Sequence, residues 1–406
     1  MHVMKTLPTL ILGCVLALPL SSAAETPSME QMWQMIKQQQ QQLEALSKEN
    51  RALKSQLNAT TEAVEQGRAE TYAQGETTAA HTRVGGYGEL HYNDLENQRA
   101  GGDDKQEIDF HRFVLFFSHE FNEEIRFFSE LELEHAFNAD GEPGEVELEQ
   151  AYLEFDLTDS LSARGGLFLV PVGILNETHE PPTFYGTERN PVEKNIIPVT
   201  WWEGGAGLSG HYASGLSFDL ALTSGLKTSA ASDYAVRKGR QKVAEAKADN
   251  PAFTGRVKWT GIPGLEVAAT LQHQSDITQG EDPDAGSANL YEAHVVWSPG
   301  PFGLRALYAQ WDLDGRGPAS VGADEQTGWY LEPSFKINPQ LGLFGRYSSW
   351  DNQAGDDSDS EYNQWNLGLN YWPHQDVVLK VDYQNQESPA GKDEFDGLNL
   401  GIGYQF

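Results

Sequence analysis

Between residues 82 and 406 the chain repeats one unit: a stretch with a period-two hydropathy pattern, then a connection. The connections alternate between short and long. The stretches fall near 82–92, 107–121, 123–136, 146–157, 161–172, 201–212, 215–226, 251–260, 264–275, 288–298, 302–313, 327–337, 341–351, 361–372, 376–386 and 396–406. Leu216, Phe218, Leu220 and Leu222 alternate with Ser217, Asp219, Ala221 and Thr223, and Trp365, Leu367, Leu369 and Tyr371 alternate with Gln364, Asn366, Gly368 and Asn370. Such alternation marks a strand lying between two different environments. Short links such as 158–160 and 338–340 take turns with long ones such as 93–106, 173–200 and 227–250. A soluble sandwich has no reason to keep that rhythm. A transmembrane barrel does, with tight turns at one end and long loops at the other. Trp201, Trp202, Trp259, Trp297, Trp329, Trp350, Tyr371 and Trp372 cluster near strand ends, as interfacial girdles do. The fold expected is all-β, a 16-stranded antiparallel transmembrane β-barrel preceded by an N-terminal α-helical coiled coil.

The N-terminal part obeys other rules. Lys5, the apolar run Leu7–Leu20 and the small residues Ser22-Ala23-Ala24 form a signal peptide, residues 1–24. Gly13-Cys14 offers a lipoprotein cleavage site as the alternative. Residues 25–66 hold a coiled coil, with Met29, Ile36, Leu43, Leu57 and Val64 at heptad position a and Met32, Leu46 and Leu53 at d. Asn50 and Gln39 are polar insertions in that seam, of the kind that fix register and oligomer state. A linker, 67–81, leads to the barrel, 82–406. An even strand number puts both barrel ends on the periplasmic side, and the coiled coil with them.

Composition removes several functions. The chain carries 60 acids against 28 Lys and Arg, a net charge of −32, which excludes a nucleic-acid binder. Its single cysteine excludes an intrachain disulfide. After residue 20 no run is long and apolar enough for a membrane helix. There is no Gly-x-Ser-x-Gly, no completed His-Glu-x-x-His and no Walker loop, and no enzymatic function, cofactor or metal is assigned.

If apolar faces meet lipid, the opposite faces line a lumen. Arg126, Glu130, Glu132, Glu134, Arg164, Arg256, Lys258, Arg346 and Lys380 are the pore-lining candidates. With Glu154, Asp219, Glu266, Glu292, Glu332, Lys336 and Asp382 they make a mixed lumen of acids and bases. The segment 107–121 is apolar on both faces, so its lipid side stays open. Loop 173–200 is the longest and is stiffened by Pro181, Pro182, Pro191 and Pro198. Folded inward it forms a constriction, with His179, Glu180, Glu188, Arg189 and Lys194 as candidates. A rigid external cap is the alternative, and His179-Glu180 alone is a weak metal site. Loop 227–250 carries Lys227, Arg237, Lys238, Arg240, Lys242 and Lys247, the one basic cluster in an acidic chain. It draws anions to the mouth, binds lipopolysaccharide phosphates, or is simply a solvated helix.

Residues 82–406 resemble the phosphate-selective porin O and P family. The local match is Arg164-Gly165-Gly166-Leu167-Phe168-Leu169-Val170-Pro171-Val172-Gly173, a strand running into a Val-Pro-x-Gly turn before a long loop. The final strand, ending in Phe406, is similar to the terminal signal of Gram-negative outer-membrane barrels. The resemblance implies a sixteen-stranded, trimeric diffusion channel for small hydrophilic solutes or ions, seated in outer-membrane lipid and lipopolysaccharide. No dense ladder of Arg or Lys appears on the strands, so phosphate specificity is not carried over. A plugged barrel anchored to peptidoglycan by the coiled coil, and an outer-membrane hydrolase, are the competing readings.

Overall fold

The computed structural model describes Lys37, residues 81–135, Phe137 and residues 144–406. The expectations for the signal peptide, the coiled coil and, but for His81, the linker fall outside these residues, apart from the single helical residue Lys37. The described barrel holds sixteen strands: β1 (Thr82–Asn97), β2 (Lys105–Glu120), β3 (Ile125–Glu134), β4 (Val146–Thr158), β5 (Leu161–Leu169), β6 (Trp202–His211), β7 (Leu216–Thr223), β8 (Ala252–Trp259), β9 (Leu265–Gln274), β10 (Ala288–Trp297), β11 (Phe302–Leu313), β12 (Glu325–Asn338), β13 (Leu341–Asp351), β14 (Tyr362–His374), β15 (Val377–Glu387) and β16 (Phe395–Gln405). Each pairs antiparallel with its sequence neighbours, and β1 closes on β16 with Gly88 opposite Tyr404 and Asn93 opposite Asn399. Closure leaves no unpaired edge, the condition for a sheet in hydrocarbon.

Burial is inverted relative to a soluble protein. Leu367 is 72% exposed and Leu271, Ile402 and Tyr383 are also exposed, while Gln326, Asn370, Asn399, Thr254 and Thr270 are fully buried. An apolar outer surface and a polar interior are what strands in lipid require. The ambiguous segment resolves the same way: Phe117 faces out, and Arg112 and Val114 are buried inside.

Strand boundaries depart from expectation mainly at the long-loop end. β1 runs to Asn97 and β2 starts at Lys105, so their loop shrinks to residues 98–104. Asp104 accepts the Asn97 backbone N–H at 2.9 Å and holds that hairpin shut. Between Glu89↔Arg112 and His91↔Asp109 the register shifts by one extra residue on β2, a bulge in that strand.

The apolar core lies inside the barrel. It comprises Val170, Val172, Ile174, Leu175, Phe184, Val192, Ile196, Ile197, Val199 and Trp201 from the β5–β6 loop. They pack on Leu226, Tyr234, Val236 and Ile277 from other loops and on Leu290, Leu307, Trp311 and Tyr330 from the wall. The β5–β6 loop is therefore an internal element and not a cap.

Candidate functional site

The β5–β6 loop is clasped at its base. Asn176 donates through Nδ2 to the carbonyls of Val170 (2.7 Å) and Trp201 (2.9 Å) and accepts the Trp201 N–H at 2.7 Å. Within the loop, α1 (Val192–Asn195) carries the fully buried Glu193. Glu193 Oε1 accepts the N–H groups of Ile174 (2.6 Å) and Leu175 (2.7 Å). Its Oε2 accepts Asn190 Nδ2 and the Tyr330 hydroxyl, both at 2.9 Å. One carboxylate thus joins both arms of the loop to β12.

The loop crosses to the far wall. Arg346 donates to the Tyr185 carbonyl at 2.6 Å, Asn370 to that of Phe184 at 2.9 Å and Trp372 to that of Pro182 at 3.1 Å. Thr187 N–H reaches Asp382 at 2.7 Å. Wall glycines make the seat. A Cβ on Gly403 would lie 2.3 Å from Pro181 Cβ, and one on Gly328 would lie 2.9 Å from Ile196.

Cavities lie at both ends of the barrel. A vestibule of about 580 Å³ lies at the long-loop end, with Glu188, Arg189 and Lys194 among its lining. Two cavities, of about 590 Å³ and 900 Å³, lie at the short-turn end. The first is lined by Phe184, Tyr185, Arg305 and Lys336, the second by Arg126, Glu154, Arg164, Asp219, Arg256 and Lys258.

The vestibule has two unlike walls. Glu134, Glu145, Glu147 and Glu149 of the β3–β4 side line one part of it. Arg189, Lys194, Arg237 and Arg240 contribute positive charge from the loops. Arg189 reaches Thr200 Oγ1 at 2.8 Å, and its Nε and Nη2 have no hydrogen-bond partner. Arg237 donates to the carbonyls of Lys194 and Val199, and Arg240 to that of Thr200. Among the described residues, none of these four cations is in an ion pair with a carboxylate, whereas Lys242 of the same basic loop binds Glu145 and Glu147. The Lys194 side chain is exposed to the vestibule, yet desolvation by the surrounding barrel lowers its ammonium below the usual range; Glu188 opposes that, and Arg237, Lys105 and Arg112 add to it. Burial, reinforced by Arg240, pushes Arg237 down to about 10. Burial works against ionised Glu188, but His91, 3.0 Å away, holds its carboxyl well below the usual carboxylate range.

All nine pore-lining candidates face inward. Glu130, Glu132, Arg256, Arg346 and Lys380 are buried inside the barrel, and Glu134, Arg126, Arg164 and Lys258 line the cavities. Arg126 is neutralised by Glu154 (2.5 Å) and Asp156 (2.6 Å), and Arg256 by Asp219 (2.7 Å) and Glu177. Arg346 binds Glu332 at 2.8 Å, and the Lys380 ammonium sits 3.5 Å over the Phe184 ring. Of the loop candidates, Glu188, Arg189 and Lys194 reach the vestibule. His179 is instead buried against β3 and β4, and Glu180 serves the 3-10 turn Pro181–Thr183, its carbonyl accepting Thr183 Oγ1 at 2.7 Å.

Sequence reasoning missed Glu89, His91 and Arg112. They form a buried chain, with Arg112 2.7 Å from Glu89 and Glu89 3.2 Å from His91. The period-two register of β1 could have revealed Glu89 and His91, since both share the face of Tyr87. The inward fold of Arg237 and Arg240 had no local signal beyond their charge.

The sequence model of the phosphate-selective porin O and P family matches residues 83–406. An uncharacterised protein of Aquifex aeolicus strain VF5 is 34% identical over 350 residues, 76% of this chain and 77% of the relative. The barrel is similar to an anion-selective porin from Comamonas acidovorans, with a TM-score of 0.57 at 13% identity, covering 80% of this chain and 99% of that one. It is also similar to a trimer form of OmpT, an outer-membrane protein of Vibrio cholerae, with a TM-score of 0.52 at 10% identity, covering 80% of this chain and 100% of that one. Its barrel, from the first strand to the last, belongs to the phosphate-selective porin O and P family.

Proposed function

We propose that this outer-membrane porin, through which solutes diffuse passively, is narrowed by residues 170–201 and favours anions. The observation that carries the preference is the set Arg189, Lys194, Arg237 and Arg240 at the vestibule, with no carboxylate ion-paired to any of them among the described residues. Selectivity follows local charge at the narrow place and not the total of −32. Most lumen bases on the strands are paired with acids, so the vestibule cations left without an ion-paired carboxylate among the described residues come from two loops.

The proposed orientation is supported by the pattern of short turns and long loops and by the even strand number. The long loops face outward, and the barrel ends and the N-terminal segment face the periplasm. Three barrels associate side by side, as the trimer form of the Vibrio cholerae neighbour supports. The porin does no chemistry on its solute. The test is a reversal potential across a salt gradient, in the wild type and in Arg237→Gln/Arg240→Gln. A shift toward anions that the double variant reduces supports the reading. An unchanged or cation-directed potential in the wild type refutes it.

A further inference from the structure

Three side chains meet where the loop touches the wall behind the acidic side of the vestibule. Glu130 projects from β3, Glu149 from β4 and His179 from the loop, and all three are buried, with 1%, 2% and 3% of their surface exposed. His179 Nε2 lies 3.4 Å from Glu130 Oε1 and 3.8 Å from Glu149 Oε2. None of these three atoms has a hydrogen-bond partner. An unpartnered polar atom buried in a protein interior is costly, and a single bound ion would serve all three at once.

The surrounding contacts set the chemistry of that partner. His179 Nδ1 lies 3.1 Å from the Asn176 carbonyl. A carbonyl only accepts, so Nδ1 carries the proton and, in the neutral ring, Nε2 presents its lone pair to the two carboxylates. Gln150 Nε2 donates to Glu130 Oε2 at 2.6 Å, leaving Oε1 free. Metal-bound imidazoles and carboxylates are oriented by outer contacts of this kind. A tetrahedral ion with bonds of about 2.0–2.1 Å holds its ligand atoms about 3.3 Å apart. The His179–Glu130 separation of 3.4 Å lies close to that value, the 3.8 Å to Glu149 is about half an ångström longer, and all three atoms lie within 4.8 Å of one another. Glu132 adds negative charge beside the site, and the guanidinium of Arg112, which also acts on it, is already engaged with Glu89 at 2.7 Å.

We propose that Glu130, Glu149 and His179 bind one first-row divalent metal ion, which pins the constriction loop to the barrel wall. Two carboxylates and one imidazole suit Zn²⁺ or Mn²⁺ better than a soft ion, with solvent supplying the fourth ligand. Other groupings of His and acids are less apt. In the pair of clusters around His111, the acids Glu188 and Asp109 already receive hydrogen bonds from His91, His111 and His135. Glu145 and Glu147 bind Lys242. The proposal does not depend on ion preference, because the site would exist in an open or a plugged barrel.

The test uses the full-length protein, folded in detergent, stripped with a chelator and titrated with ZnCl2 in a calorimeter. One ion per chain is expected. His179→Asn and the near-isosteric Glu149→Gln should each weaken binding by more than about 100-fold. His135→Asn, in a different cluster, should leave it unchanged. No binding to the wild type, as expected of a bare imidazolium–carboxylate contact, overturns the proposal. Binding that survives both site variants, or that His135→Asn abolishes, also overturns it. If the variants do not fold, anomalous diffraction from Zn²⁺-loaded wild-type crystals decides. A peak between the three side chains supports the site, and a peak elsewhere or none refutes it.

Discussion

The barrel wall and the loop inside it are built on opposite principles. In the wall every side chain has one of two assignments, lipid or lumen, and the alternation of the sequence states which. Leu367 faces out and Asn366 faces in because they are neighbours on a strand. In the β5–β6 loop position depends on single hydrogen bonds and single gaps: Glu193 joins both arms, Asn176 clasps the base, and Gly403 and Gly328 leave room for Pro181 and Ile196. The wall therefore tolerates many polar or apolar exchanges within a face. The loop should respond sharply to changes of one atom.

The strongest test of that contrast is Glu193→Ala. It leaves the N–H groups of Ile174 and Leu175 and the Tyr330 hydroxyl without their acceptor. Leaving a buried donor without its acceptor costs about 1–3 kcal/mol. The expected result is a loosened loop in an intact barrel: a larger single-channel conductance with unchanged heat-modifiable mobility on a gel. Equal conductance would show that the loop does not set the narrow point.

Leu367→Arg probes the wall. Its outward position in β14 predicts a loss of about 2–4 kcal/mol for arginine near the bilayer midplane, read by urea unfolding in lipid vesicles. Asn366→Gln, one residue away and inward among the polar partners Gln364 and Asp382, should cost less than Leu367→Arg. Similar costs at the two positions would break the lipid–lumen assignment.

Gly403→Val comes next. Its Cβ would fall 2.3 Å from Pro181 Cβ, so overpacking of about 1–3 kcal/mol is expected, unloading the loop without a charge change. Noisier or larger channel steps are the readout, and steps like those of the wild type would place the loop elsewhere.

The smallest effect concerns pH. Lys194 faces the vestibule, and its partial desolvation inside the barrel holds it below the ordinary lysine range, so it loses its proton earlier than a free lysine as pH rises. A base with a lowered folded value is charged at a cost in the folded protein. That cost is full at low pH and relieved as pH rises through the folded value. Anion preference should accordingly weaken at a pH below about 10.4, the usual lysine value. Lys194→Met should show the reduced preference throughout and no such step.

The same contrast explains what the sequence alone revealed. All sixteen segments are visible as strands, and the faces of fifteen are legible in a local pattern, from which the inward charges such as Glu130, Arg256 and Lys380 follow. The segment 107–121 is the exception, since Phe113, Leu115 and Phe117 alternate with the equally apolar Val114 and Phe116; only its register against β1 and β3 fixes its faces. The β5–β6 loop is visible as long and proline-rich, yet its route is set by contacts with Arg346, Asn370 and Asp382, more than 150 positions away in the chain. His179 looked like a constriction residue beside Glu180. The fold turns it to Glu130 and Glu149 instead, a meeting that no spacing encodes.

The central claim is that loop-borne cations at the inward loop govern passage. The most direct measurement is single-channel recording of the purified protein in a planar bilayer under a salt gradient. Stepwise openings with a reversal potential directed toward anions, diminished in Arg237→Gln/Arg240→Gln, are predicted. Silence from a folded, inserted barrel would contradict the channel and favour a plugged anchor, and a cation-directed potential would contradict the role given to Arg189, Lys194, Arg237 and Arg240.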